Sequence, residues 1–234
     1  MPTSAGSSQP IVAITGAHGA LGQAIAAAFE ANGAVVCRID RSPATNGPGP
    51  GLAIGDVDLA DAASTTKAFD AIGARFGRLD VLVNVAGGFE WEKLAGGSIE
   101  TWDRLYAINV RTTVNASQAA LPWLAKAGTD GRIVNIAAAA SAHATAGMGA
   151  YSASKAGVVR LTEALADECK STGPTVNAIL PTIIDTARNR ADMPDADFSR
   201  WVRPMEIAQV AIFLASPGAS AVTGAAILVG ARAT

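Results

Sequence analysis

The chain has 234 residues, half of them hydrophobic, 16% charged and 5% aromatic, with a formal net charge of -2. That is enough apolar material for one large domain with a sizeable core. The near-neutral balance, the lack of a Lys/Arg block and the few aromatics argue against a nucleic-acid or anionic-membrane partner.

Met1–Pro10 has no basic or apolar signal region and reads as a flexible arm over residues 1–10, ahead of a single domain over 11–234. No apolar run reaches spanning length, so a cytoplasmic protein is expected. Cys37 and Cys169 have no metal-type spacing and read as buried thiols in a reducing compartment; no metal site is predicted.

In chain order, Ile11–Thr15 is a short strand, Ala20–Asn32 an Ala-rich helix ending at Gly33, and Ala34–Ile39 a second strand. Ser42–Gly51 is too rich in Pro and Gly for a helix, so a loop replaces the helix expected before the third strand. Ala60–Phe76 reads as a helix, Leu79–Val85 as an apolar strand, and Ser98 as the N-cap of a helix through Thr101–Asn109. A further helix runs toward Leu124. Arg132–Ile136 is a strand, Tyr151–Lys170 a helix, Thr175–Leu180 a strand, Pro204–Ala215 a helix and Ala225–Val229 the last strand. This alternation predicts an α/β fold, one doubly wound Rossmann-type domain with a predominantly parallel seven-stranded sheet.

Three motifs carry chemistry. Between the first strand and helix stands Gly16-Ala-His-Gly-Ala-Leu-Gly22, where Gly16, His18, Gly19, Ala20, Leu21 and Gly22 can bring backbone and a helix N-terminus to a pyrophosphate. Asp40, ending the second strand, can accept ribose hydroxyls and would repel a 2′-phosphate, favouring NAD over NADP; Arg38 and Arg41 beside it could each reach a phosphate. Tyr151 and Lys155 share a helical face at i and i+4. Bringing a phenol from about 10 to neutrality requires roughly 4 kcal/mol. A cation ~4 Å away at an effective dielectric near 20 supplies about that much, giving a proton donor and acceptor for pH 7.

From Ile11 to Val229 these residues, with Asn84-Val-Ala-Gly87, Asn109 and Pro181-Thr-Ile-Ile-Asp-Thr186, resemble the short-chain dehydrogenase/reductase family in order and spacing. The resemblance implies NAD(P)-dependent hydride transfer with a small carbonyl or alcohol substrate, in a homotetramer or homodimer. It implies that Tyr151 is the acid/base, that Lys155 holds the nicotinamide ribose and lowers the tyrosine's pKa, and that Asn109 bends its helix and holds a relay water. Asp58 with Leu59 (or Asp56 in another alignment) would meet the adenine. Asn84, Ala86 and Gly87 would line the cofactor with Asp40 and Arg41. Pro181, Thr182, Ile184 and Thr186 would flank the carboxamide, which Thr186 would bond.

Departures from the family pattern are Gly19-Ala20 in the phosphate loop, Val85 for the second asparagine, Thr182 for glycine, and Ala138 for the usual serine. A missing donor of that kind typically costs 10²–10³ in rate. Ser141 or His143 could replace it, the substrate could do without it, or the chain could be a cofactor-binding sensor of low activity. Dihydropteridine reductase-like members, quinonoid reductases, also lack the serine and share the Gly-Ala-Leu-Gly and Ala-Gly-Gly segments. Substrate contacts are expected from Phe89 and Trp91, from the loop Ala138–Met148 with Ser141 and His143, and from a lid over 187–203, where Trp201 could stack on a ring or pack inside.

Overall fold

A computed structural model of the chain describes residues 9–171 and 173–230. The expected N-terminal arm, apart from Gln9 and Pro10, lies outside the described residues. Seven strands form one sheet in the order β3-β2-β1-β4-β5-β6-β7. They are β1 (Ile11–Thr15), β2 (Val35–Ile39), β3 (Ala53–Ile54), β4 (Val81–Asn84), β5 (Arg132–Ile136), β6 (Thr175–Pro181) and β7 (Ala226–Val229). Every neighbouring pair is parallel. β1, β4 and β5 are buried at every position, as unbroken apolar runs require when both faces are covered.

Helices α1 (Ala20–Ala31) and α7 (Pro204–Ala215) pack on one face, around Ile14, Val83, Val134, Ile25 and Ile207. On the other face α2 (Ala62–Phe76), α4 (Thr112–Leu124) and α5 (Gly149–Cys169) surround Ala13, Leu82, Ile133, Phe69 and Leu165. Two short helices, α3 (Ile99–Tyr106) and α6 (Ala187–Asp192), complete the predicted doubly wound α/β domain. Both cysteines are buried and free.

The differences from expectation are local. The strand expected over Leu79–Val85 contracts to β4. The segment Ser42–Gly51 forms no helix, and a side chain at Gly51 would collide with the Val36 carbonyl, so this loop packs directly on β2. Ser98 caps α3 as predicted, but the two helices expected on either side of Asn109 are continuous. A π-helical turn at Ala107–Arg111 joins α3 to α4. There Thr112 and Thr113 donate to the carbonyls of Ile108 and Asn109, both at 2.8 Å. The chain leaves the adjacent strands β1 and β4 toward opposite faces, which opens a crevice at their carboxyl ends.

Candidate active site

The glycine turn lies at that crevice. Gly16 has φ +63, and a Cβ there would lie 2.8 Å from the Ala86 Cα. At Gly22 a Cβ would collide with the Gly16 carbonyl, so both glycines are required by packing. Gly19 is different, since a Cβ would meet only the Gly16 carbonyl, at 3.4 Å. It begins α1 without a side-chain cap and with no acidic residue in the first turn. The orphan donors of that turn therefore have no side-chain acceptor, and a pyrophosphate fits them. Ala20 is exposed and Leu21 buried beside it.

The turn is latched to the end of β2. Asp40 Oδ2 accepts from the His18 backbone N–H at 2.9 Å, and Oδ1 accepts from the Ser42 N–H and hydroxyl at 3.0 and 2.9 Å. Because Ser42 gives its proton to Asp40, the 2.6 Å contact between Ser42 Oγ and His18 Nδ1 is donated by histidine. Burial pushes the Asp40 carboxyl up, but the Ser42 and His18 hydrogen bonds outweigh it and hold the group below its ordinary value. Arg38 pairs with Glu30 on α1 at 2.8 Å, whereas Arg41 is exposed. Asp58 is exposed, and the carbonyl of buried Leu59 accepts from Asn115 Nδ2 at 2.9 Å. The alternative residue Asp56 has φ +57.

Thr15, which the sequence did not single out, ties the turn to β4: its Oγ1 accepts from Val85 N and Ala86 N at 3.1 and 3.2 Å. The signal was a threonine at the last position of the strand, directly before the first glycine. The Asn84 amide, expected to line the cofactor, turns inward. It donates to Asn135 Oδ1 at 2.9 Å and Ser117 Oγ at 3.2 Å.

Tyr151 and Lys155 project one turn apart from α5. Lys155 is buried, and its Nζ donates to the Ile136 carbonyl at 2.8 Å. Asn109, fully buried, accepts from Gly88 N at 2.9 Å and donates to Gly88 O at 3.1 Å and Ser154 Oγ at 2.9 Å. A Cβ on Gly87 would lie 2.6 Å from Asn109 Oδ1 and 3.2 Å from Lys155 Nζ, so backbone, amide and ammonium converge at that glycine. The Asn109 side chain thus has protein partners for its oxygen and both amide hydrogens. It clamps the loop after β4.

The expected acidic phenol is corrected. Burial pushes the Tyr151 hydroxyl up to about 12 and pulls Lys155 down to about 8. Desolvation dominates both groups, and the ammonium is directed at a carbonyl. At neutral pH the phenol is protonated and the lysine charged.

On the substrate side Phe89 packs edge-on against Tyr151, with centroids 4.9 Å apart and planes at 84°. Trp91 Nε1 donates to Ala146 O at 3.0 Å, and Glu92 N donates to Gly147 O at 2.8 Å. Ala138 is buried, Ser141 Oγ donates back to the Ala138 carbonyl at 2.6 Å, and His143 is exposed. Pro181 closes β6, and Thr182 Oγ1 is buried without a partner. Ile184 bridges to Val202, and Thr186 caps α6 by accepting from Asn189 N at 3.2 Å. Arg190 pairs with Asp185 and lies over the Phe198 ring at 4.7 Å; Trp201 is packed inside, which settles its expected alternatives in favour of packing.

A family model described as Enoyl-(Acyl carrier protein) reductase matches residues 16–231. The chain is 36% identical to D-threitol dehydrogenase of Mycolicibacterium smegmatis, over 94% of this chain and 90% of the relative. It is 32% identical to meso-2,3-butanediol dehydrogenase of Serratia marcescens, over 96% of this chain and 94% of the relative. A short-chain type dehydrogenase/reductase from Mycobacterium ulcerans superposes with a TM-score of 0.87 at 28% identity, covering 94% of this chain and 88% of that one. Matched in sequence and fold along nearly its whole length, the chain belongs to the short-chain dehydrogenase/reductase family of NAD(P)-dependent oxidoreductases.

Proposed function

We propose that this oxidoreductase uses NAD(H) to transfer hydride between nicotinamide and a small carbonyl or alcohol substrate, with Tyr151 as acid/base. The observation that carries the reading is the convergence at Gly87 of the Asn109 amide with the ammonium of Lys155, which shares α5 with Tyr151. NADH, when bound, supplies the hydride. Tyr151 supplies the proton to the substrate oxygen in reduction, Lys155 orients the ribose beside it, and Asn109 fixes the loop that both face. The uncapped α1 terminus holds pyrophosphate, and the segment from Pro181 to Thr186 flanks the carboxamide.

NAD is favoured over NADP by Asp40. Its carboxylate stays ionised and accepts three hydrogen bonds where about four lone-pair sites exist, leaving room for a ribose hydroxyl. Arg38, held by Glu30, is not free to meet a 2′-phosphate. The relatives named for threitol and butanediol support a small alcohol as the reduced partner. Residues 187–203 act as the lid, and the protein works in the cytoplasm as a homotetramer or homodimer.

A second reading, reduction of quinonoid acceptors, is favoured by one observation: Ser141 bonds into its own loop, so it does not stand in for the serine that Ala138 replaces. Tyr151→Phe tests the main reading. The variant is expected to bind NADH within about twofold of wild type by fluorescence titration and to lose 10²–10⁴ in kcat, the usual range for a positioned proton donor. Turnover retained at the wild-type rate refutes the assigned role.

A further inference from the structure

We infer that the substrate half of this cleft selects a carbonyl flanked by a flat apolar group, such as an aryl ring, over a polyol or ketose. The inference rests on the Tyr151 reading above. Phe89 touches Tyr151 edge-on, yet 54% of its surface is open; Trp91, two residues on, is 55% open. Phe89 thus offers an open apolar surface beside the proton donor, and the Trp91 ring carries the Lys93 ammonium at 5.8 Å from its centroid.

Trp91 is held in place. The Trp91 indole donates to Ala146 O, Glu92 N donates to Gly147 O, and Gly147 (φ +77) lies so close beneath the indole that any Cβ would collide with it. The loop after β4 and the loop before α5 are therefore one body at this point. A polyol would need hydroxyl partners here, and of the polar groups on these loops the Trp91 N–H and the Ser141 hydroxyl are already engaged, while His143 is exposed. The Trp91 N–H is engaged by Ala146, the Ser141 hydroxyl by the Ala138 carbonyl, and Ala138 itself offers only a methyl group. Hydroxyls placed against the Phe89 ring gain no hydrogen bond from it, whereas an aryl face covers its open surface and gains an aromatic contact.

The test measures NADH oxidation by the full-length protein with three acceptors: 1-phenyl-1,2-propanedione, 2,3-butanedione and a tetrulose. The aryl dione is expected to exceed the butanedione in kcat/KM by about tenfold, chiefly through KM, with the tetrulose lowest. Phe89→Ala is expected to shrink the aryl-to-alkyl ratio by about tenfold, and Phe89→Tyr to keep it. Phe89 is more than half exposed, so both variants should fold, which circular dichroism checks. A tetrulose preference, or an unchanged ratio in Phe89→Ala, overturns the inference alone. No turnover of any acceptor, or wild-type turnover in Tyr151→Phe, overturns the underlying reading and this inference with it.

Discussion

The glycine turn after β1 and the loops after β4 and β5 meet across one crevice but are fixed in different ways. The turn is fixed chiefly by backbone packing, Gly16 against Ala86 and Gly22 against the Gly16 carbonyl, with the Asp40 carboxylate holding the His18 N–H. The substrate loops are fixed by side chains: Asn109 on Gly88, Trp91 on Ala146, Phe89 on Tyr151. A backbone-built site tolerates few residue types and serves one invariant ligand chemistry, a pyrophosphate. A side-chain-built site can change its lining while its frame stays put, and the loss of the usual serine at Ala138 is such a change.

Breaking the backbone half should have the largest effect. Gly22→Ala forces a methyl group into the Gly16 carbonyl. NADH affinity is expected to fall by about 10²-fold or more, with about 2–3 kcal/mol lost in stability from overpacking. Isothermal titration and denaturant unfolding read the two effects. Next in size, Ala138→Ser adds the absent donor and should raise kcat toward a simple ketone by about 10–10²-fold. No gain would mean that the substrate oxygen does not approach that position.

Lys155→Met should separate function from stability. The buried ammonium has a single carbonyl partner, and burial lowers its pKa to about 8. Since the folded value lies below the ordinary 10.5, folding disfavours the charged form: the penalty is fully present below about pH 8 and is relieved as pH rises from there toward 10.5. The variant should therefore be inactive yet more stable by about 1–2 kcal/mol at pH 7, an advantage that shrinks above pH 8. Thermal melts across that window measure it. Smallest, Gly147→Ala pushes a methyl group into the Trp91 indole at a left-handed backbone position. It should raise the substrate KM several-fold at a stability cost of about 1 kcal/mol and leave the NADH Kd within twofold. An equal loss in both constants would show that the two halves are not independent.

Most of the fold was legible in the sequence because its signals are local. Pro204 at the first turn located α7 to the residue, and the apolar runs located β1 and β5. β3 was not locatable, since two residues carry no pattern. The Tyr151–Lys155 pair was legible from spacing alone. The direction in which their titrations move was not, because desolvation depends on what packs around them. Thr15 was missed for a related reason: its partners, Val85 and Ala86, lie some seventy residues away along the chain. Asn84 shows the converse. It ends β4, and the pleat turns its amide toward Asn135 and Ser117.

The π-helical turn at Ala107–Arg111 gives the site a dependence on residue number as well as residue type. Leu105 and Val110, five positions apart, both reach the interior, which a regular helix with its four-residue step does not arrange. Deleting one residue from that turn would restore ordinary winding and remove the widened turn, leaving Leu105 and Val110 four positions apart on one face. Composition would hardly change and the helix would survive, but the amide that grips Gly88 and Ser154 would face elsewhere. This stretch should therefore tolerate substitution of Ala107 far better than its removal, a difference in which length carries information that identity does not.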